Sequence, residues 1–272
     1  MNRRTIIAVL AATALSAAAA PAALGQARIL FVHHSTGRNL LQQGEVRAAL
    51  QQLAGTKAAA PALWDHDYNP IGLTDPDGIK RGYGFGIPDD NTDPDGLHTL
   101  WTTANAARDS ILSRFDVIAF KSCYEPTSFI RTDEQLQQYK DWYLEIRDEL
   151  DRHPDQLFVL FTPPPLLALL TNTGQADRVR AFATWLGSPA FLDGHPNLRV
   201  FDFFDLLAHP DDGSDRRNML REVYERNTGV IDSHPNELAN QVAGPLFAQA
   251  LLDAAAVPTA DRGFGAAKAM FR

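Results

Sequence analysis

The sequence predicts a single α/β domain built on a mainly parallel sheet. Three observations carry this expectation. Short apolar, β-rich runs recur along the chain, segments with helical spacing separate them, and no linker-like stretch divides the 272 residues. A chain that is 45% hydrophobic and 21% charged has enough apolar material for a sizeable core.

The first strand is RILFV (Arg28–Val32). FDVIAF (115–120), QLFVLFT (156–162) and LRVFDFF (198–204) are the next three, and Pro163, Pro164 and Pro165 end the third of the four. Between the last three strands lie helices. In the stretch 131–154, Leu136, Tyr139, Tyr143, Ile146 and Leu150 share one helical face, with Thr132 as cap and Gln135 completing a capping box. In 175–188, Val179, Phe182 and Leu186 do the same. The closing helix, 235–255, starts with Pro235 at a first helical position. The segment from Trp64 to Trp101 is rich in Gly, Pro, Asp and Asn and reads as one long ordered loop holding two copies of TDPDG.

Residues 1–26 read as a signal peptide, with Arg3 and Arg4, a short apolar run and a small-residue end. The tandem arginines allow a twin-arginine route. The domain is then 27–272, secreted or periplasmic, with no other segment that could cross a bilayer and no stable membrane insertion after cleavage. Loss of Arg3 and Arg4 takes 25 basic against 33 acidic residues to 23 against 33, a charge of −10. That balance argues against nucleic acid and anionic lipid as partners. Cys123 is the one cysteine, so no disulfide staples the fold.

The chemistry concentrates in two places. VHHSTG (32–37) follows the first strand, and ligands of parallel α/β sheets sit beyond the carboxyl ends of the strands. Gly37 permits a tight turn there, and a helix starting near Asn39 aims free N–H groups at the same spot. Ser35 as a nucleophile needs a base held by a carboxylate. IDSHPN (231–236) offers Asp232 and His234, two apart, which face one way in an extended segment. Adjacent histidines point to opposite sides of a strand, so His33 and His34 are not read as a metal site. One of them hydrogen-bonds within the core. NTDPDG (91–96) fits the first half of a calcium loop, but position 102 is Thr and a turn-rich loop is the plainer reading.

A serine just after the first strand, with an acid and a histidine before the last helix, resembles the SGNH (GDSL-type) hydrolases. LFVHHSTG is similar to that family's first block, and the stretch from Ile231 to Leu252 resembles its last. The likeness spans roughly 27–255, and only those two blocks are specific. It implies a three-layer α/β/α, flavodoxin-like fold with about five strands, and a serine esterase acting on acyl, above all acetyl, esters of a carbohydrate or small molecule. Ser35 is then the nucleophile, His234 the base and Asp232 its orienting acid; no cofactor or metal is implied. Three departures stand out. Ile231 occupies the usual acid position. His34 replaces the acid before the serine and shapes the pocket. FKSCYEPTS (120–128) lacks the oxyanion asparagine, leaving backbone groups near Ser35, Gly37, Ser122, Cys123 or Tyr124 for that role. Lys121, Glu125, Asn91 and Tyr83 are candidate substrate contacts, Lys121 and Glu125 equally a surface ion pair. Two other readings keep the fold: a carbohydrate O-acyltransferase with the same triad, and a non-catalytic glycan-binding protein.

Overall fold

A computed structural model describes residues 26–90, 92–122, 128–226, 229 and 231–257. Five strands run parallel: β1 (Arg28–Val32), β2 (Ala62–His66), β4 (Val117–Phe120), β5 (Leu157–Phe161) and β6 (Leu198–Phe201). A two-residue strand, β3 (Leu73–Thr74), pairs antiparallel with β2 at the edge. The order is β3-β2-β1-β4-β5-β6. Counting the parallel strands alone, this is the flavodoxin-like order 2-1-3-4-5. The predicted fold class is the one observed, with β3 as an added edge.

Side-chain alternation divides the sheet between two helix layers. Ile29, Phe31, Val117, Ala119, Leu157 and Val159 face α1 (Ser35–Gln43), α2 (Val46–Leu53) and the last helix, α9 (Glu237–Ala256). Leu30, Val32, Ile118, Phe120, Phe158 and Leu160 face α3 (Pro94–Thr102), α4 (Ala106–Leu112), α5 (Asp133–Leu150) and α6 (Thr173–Leu186). Both faces are buried, which is why these strands read as unbroken apolar runs. Short helices α7 (Pro189–Leu192) and α8 (Phe203–Leu207) bury Phe191 and Phe203 at the margins.

Several boundaries differ from the sequence reading. The fourth predicted strand stops at Phe201, because the Asp202 carboxylate accepts the Asp205 N–H and starts α8. Pro235 lies before α9 rather than in it; Asn236 is the cap, accepting the Ala239 N–H at 3.0 Å. The segment 64–101 is more regular than its composition implies. It holds the end of β2, all of β3 and most of α3, whose Leu97, Leu100 and Trp101 are fully buried. Helical backbone from Pro94 also removes the calcium-loop reading, since Asp93 and Asp95 lie at a helix start. Among the described residues, no helix is long and apolar enough to cross a membrane.

Candidate active site

The chain reverses direction across the sheet at β1, which lies between β2 and β4. The ladders run one residue past β1 on one side and past β4 on the other: His33 N–H donates to His66 O at 3.0 Å, and Lys121 N–H to Val32 O at 3.2 Å. His34 is extended (φ −121°, ψ −152°) and Ser35 is already the first residue of α1, not part of a turn before a later helix. The first intrahelical bond runs from Arg38 N–H to His34 O at 2.9 Å. The amides of Ser35, Thr36 and Gly37 therefore have no acceptor within the helix. Gly37 serves close packing rather than a tight turn. A Cβ at this position meets His33 Cβ at 2.3 Å. Its hydrogen lets α1 sit directly on the end of β1 and fixes where Ser35 emerges.

From the far end of the chain, the loop before α9 brings two more groups. His234 Nε2 lies 2.7 Å from Ser35 Oγ, and His234 Nδ1 lies 2.5 Å from Asp232 Oδ1. The carboxylate places the ring proton on Nδ1, leaving Nε2 to accept the serine hydroxyl. Arg226 Nη1, which sequence reasoning missed, donates to Asp232 Oδ2 at 3.2 Å. Burial raises the Asp232 carboxyl, but the His234 N–H and ring and the Arg226 charge outweigh it and hold it below its ordinary value. The loop is firmly tied: the Asn236 side chain donates to Val223 O and Glu225 O, and Leu167 N–H donates to Ser233 Oγ.

The two histidines of VHHSTG separate as strand geometry requires. His33 is in the core, with Nε2 3.1 Å from Asp65 Oδ2 and Nδ1 2.9 Å from His34 O. Arg47 closes on the other Asp65 oxygen. His34 is 5% exposed, and its ring stacks on Tyr68 with centroids 3.7 Å apart. Burial, then the Lys121 charge, pushes the His34 imidazole down to about 3, so it is neutral at ordinary pH. Among the described residues no three metal-ligating side chains converge.

Lys121 is not a surface residue. It is 1% exposed, and its Nζ donates to the Ser122 carbonyl at 2.6 Å. Ser122 is buried beside it. The Tyr83 ring is exposed on the edge hairpin, where Tyr83 O accepts the Leu73 N–H, and no hydrogen bond or ring contact among the described residues joins it to Ser35. Asn91, Cys123, Tyr124, Glu125 and the leader-like segment lie outside the described residues. Sequence reasoning also missed Arg38 and Asp67 near His34, although Arg38 stands three residues after Ser35 on a helix. A separate cavity of about 440 Å³ opens by Gln26, Leu50 and Ala62, at the opposite ends of β1 and β2.

No family model and no curated protein matches the chain. Among solved structures, it is similar to a candidate lipolytic protein of the G-D-S-L family from Desulfitobacterium hafniense DCB-2, with 11% identity and a TM-score of 0.46, covering 82% of this chain and 98% of that one. It is also similar to a candidate acylhydrolase from Bacteroides fragilis NCTC 9343, again at 11% identity and a TM-score of 0.46, covering 84% and 88%. Neither likeness bears on the chemistry of the site, which rests on its own residues.

Proposed function

We propose that this protein is a serine ester hydrolase. The observation that carries the reading is the chain of hydrogen bonds from Ser35 Oγ through the His234 ring to Asp232. In this reading Ser35 Oγ attacks the ester carbonyl while its proton passes to His234 Nε2. The carbonyl oxygen becomes an oxyanion facing the first-turn amides of α1, where free N–H groups and the helix dipole favour negative charge. Collapse of the tetrahedral intermediate breaks the bond to the leaving alcohol, which takes the proton from His234. Water, deprotonated by the same nitrogen, then attacks the acyl-serine and releases the acid and Ser35. Asp232 keeps the ring in the tautomer that accepts at Nε2 and stabilises the imidazolium formed in each half. Arg226 supports that role by holding the second carboxylate oxygen.

The substrate class proposed is a small acyl ester, above all an acetyl ester, of a carbohydrate or small molecule. Labelling by a fluorophosphonate and turnover of 4-nitrophenyl acetate test the reaction. Wild type is expected to be labelled at Ser35, and Ser35→Ala to lose both labelling and at least about a thousandfold in kcat. Equal turnover in Ser35→Ala, or no labelling of folded wild type, overturns the reading.

A further inference from the structure

We propose that Arg38 selects esters carrying a carboxylate near the scissile bond, held at the open edge of its guanidinium. This rests on the reading of Ser35 as the nucleophile. Ser35 and Arg38 are three residues apart on α1, so their side chains leave the same helix face with Cβ atoms about 5–6 Å apart.

The guanidinium is fixed on two sides. Its Nε donates to Asp67 Oδ2, and its Cζ lies 5.8 Å from the centroid of the Tyr68 ring. Both supports are themselves anchored. Asp67 is buried and its Oδ1 accepts the Tyr68 N–H at 2.8 Å. Tyr68 also stacks on the ring of His34, the residue before Ser35. His34, Tyr68 and Arg38 thus form one wall beside Ser35.

What remains of Arg38 is its Nη edge. Among the described residues neither Nη has an acceptor, and the side chain is 35% exposed. A guanidinium whose Nε and face are already engaged loses little freedom when its remaining fork takes a planar anion. A carboxylate matches that fork with two parallel hydrogen bonds. Asp67 balances the charge of Arg38, so recognition here works through fork geometry more than through long-range attraction. The acidic character of the whole chain, −8, likewise provides no general attraction for anions. The preference is therefore local to esters whose carboxylate reaches one helical turn beyond the serine.

The test compares two esters that differ only in a free carboxylate against its methyl ester, 4-nitrophenyl hydrogen succinate and 4-nitrophenyl methyl succinate, each rate taken above that of the ester without enzyme. Wild type is expected to favour the acid by about tenfold in kcat/KM, mostly through KM. Arg38→Gln should erase the preference, lowering kcat/KM for the acid about tenfold more than for the neutral ester. Arg38→Lys, which keeps the charge without the fork, should restore little of it. Equal loss on both esters in Arg38→Gln means that Arg38 only props the wall, and overturns the proposal. So does a wild type without preference. A second arm does not depend on turnover. Calorimetry on Ser35→Ala should show monomethyl succinate binding about tenfold tighter than dimethyl succinate, and the added Arg38→Gln should remove the difference. Equal binding in that arm refutes the carboxylate site whatever Ser35 does, whereas a difference in binding without turnover refutes the hydrolase reading and leaves the anion site standing.

Discussion

Asp232 Oδ1 receives two hydrogen bonds from His234, one from the backbone N–H at 2.9 Å and one from ring Nδ1 at 2.5 Å. The first is an Asx turn, the ordinary use of an aspartate two residues ahead of its partner. The second fixes the imidazole. One oxygen therefore folds the loop and orients the ring, and the spacing of two comes from the turn rather than from strand alternation. The other oxygen stays available to Arg226.

Asp232→Asn separates these two uses. An asparagine oxygen can still close the turn, so the fold should survive, with an unfolding midpoint within a few degrees of wild type. The charge facing the imidazolium is lost, and Nδ2 then opposes the Arg226 donor. On the proposed mechanism kcat for 4-nitrophenyl acetate falls about 10²- to 10⁴-fold. Full activity in the folded variant removes Asp232 from the relay.

Gly37→Ala sets propensity against packing. In an exposed helix interior, alanine gains about 1 kcal/mol over glycine. Here its Cβ meets His33 Cβ at 2.3 Å and Cγ at 2.7 Å, both near the backbone and unable to swing aside. Overpacking of this kind costs about 1–3 kcal/mol, so the net change is destabilising. α1 must also shift, and Ser35 with it, so kcat should fall as well. Gly174→Ala in α6 is the control, since its nearest contact is 3.4 Å, an ordinary van der Waals distance. Thermal melts should separate the two; equal midpoints contradict the packing argument.

The parallel strands that were legible are those buried on both faces, because apolar runs mark them directly. β2 was not legible: Asp65 and His66, 6% and 0% exposed, are buried polar residues whose hydrogen-bond partners lie far away in sequence. TDPDG shows the same limit more sharply. At 74–78 it makes a turn, with Asp75 Oδ1 accepting the Asp77 and Ile79 amides and Gly78 at φ +81°. At 92–96 it starts α3. The residues after each copy make the difference: Leu97, Leu100 and Trp101 have a core to enter, whereas Ile79 stays exposed. Ser35, Asp232 and His234, which the structure joins in one chain of hydrogen bonds, could be picked out together because the chemistry proposed for them asks for all three at once. Arg38, Asp67 and Arg226 could not, since ion pairs between residues 29 and 6 positions apart follow no helix or strand period.

Asp65 lies between His33 and Arg47, well shielded from water. Burial raises its carboxyl, but His33 and Arg47 outweigh that and hold it below its ordinary value. Asp65→Leu strands the buried His33 and the part-buried Arg47 without their carboxylate, a change that costs about 3–5 kcal/mol. For a domain of this size that lowers the unfolding midpoint on the order of 10 °C. The Lys57–Asp77 pair at the surface is the contrast, and Lys57→Ala should leave the midpoint where it was. Similar midpoints for the two variants contradict a structural role for the buried network.

Acid stability should be lost in two stages, histidines before carboxylates. Burial, then Lys121, takes His34 down to about 3; burial, then His33, takes His66 down to about 4. In the unfolded chain both titrate near about 6.5. Below that pH the unfolded state binds protons that the folded state refuses, so stability falls as pH drops from about 6.5 towards the folded values. Asp65 and Asp232 are depressed as well, but from an ordinary value near about 3.9, so their contribution fades at lower pH, as the pH falls through that value towards their folded ones. The unfolding midpoint should therefore decline already between about pH 6.5 and pH 5, above the range in which depressed carboxylates lose their contribution. His34→Gln removes one of the two responsible groups and should flatten that decline while leaving the steeper loss at lower pH. A wild-type midpoint that holds constant across the upper window shows that neither imidazole is kept neutral by its burial.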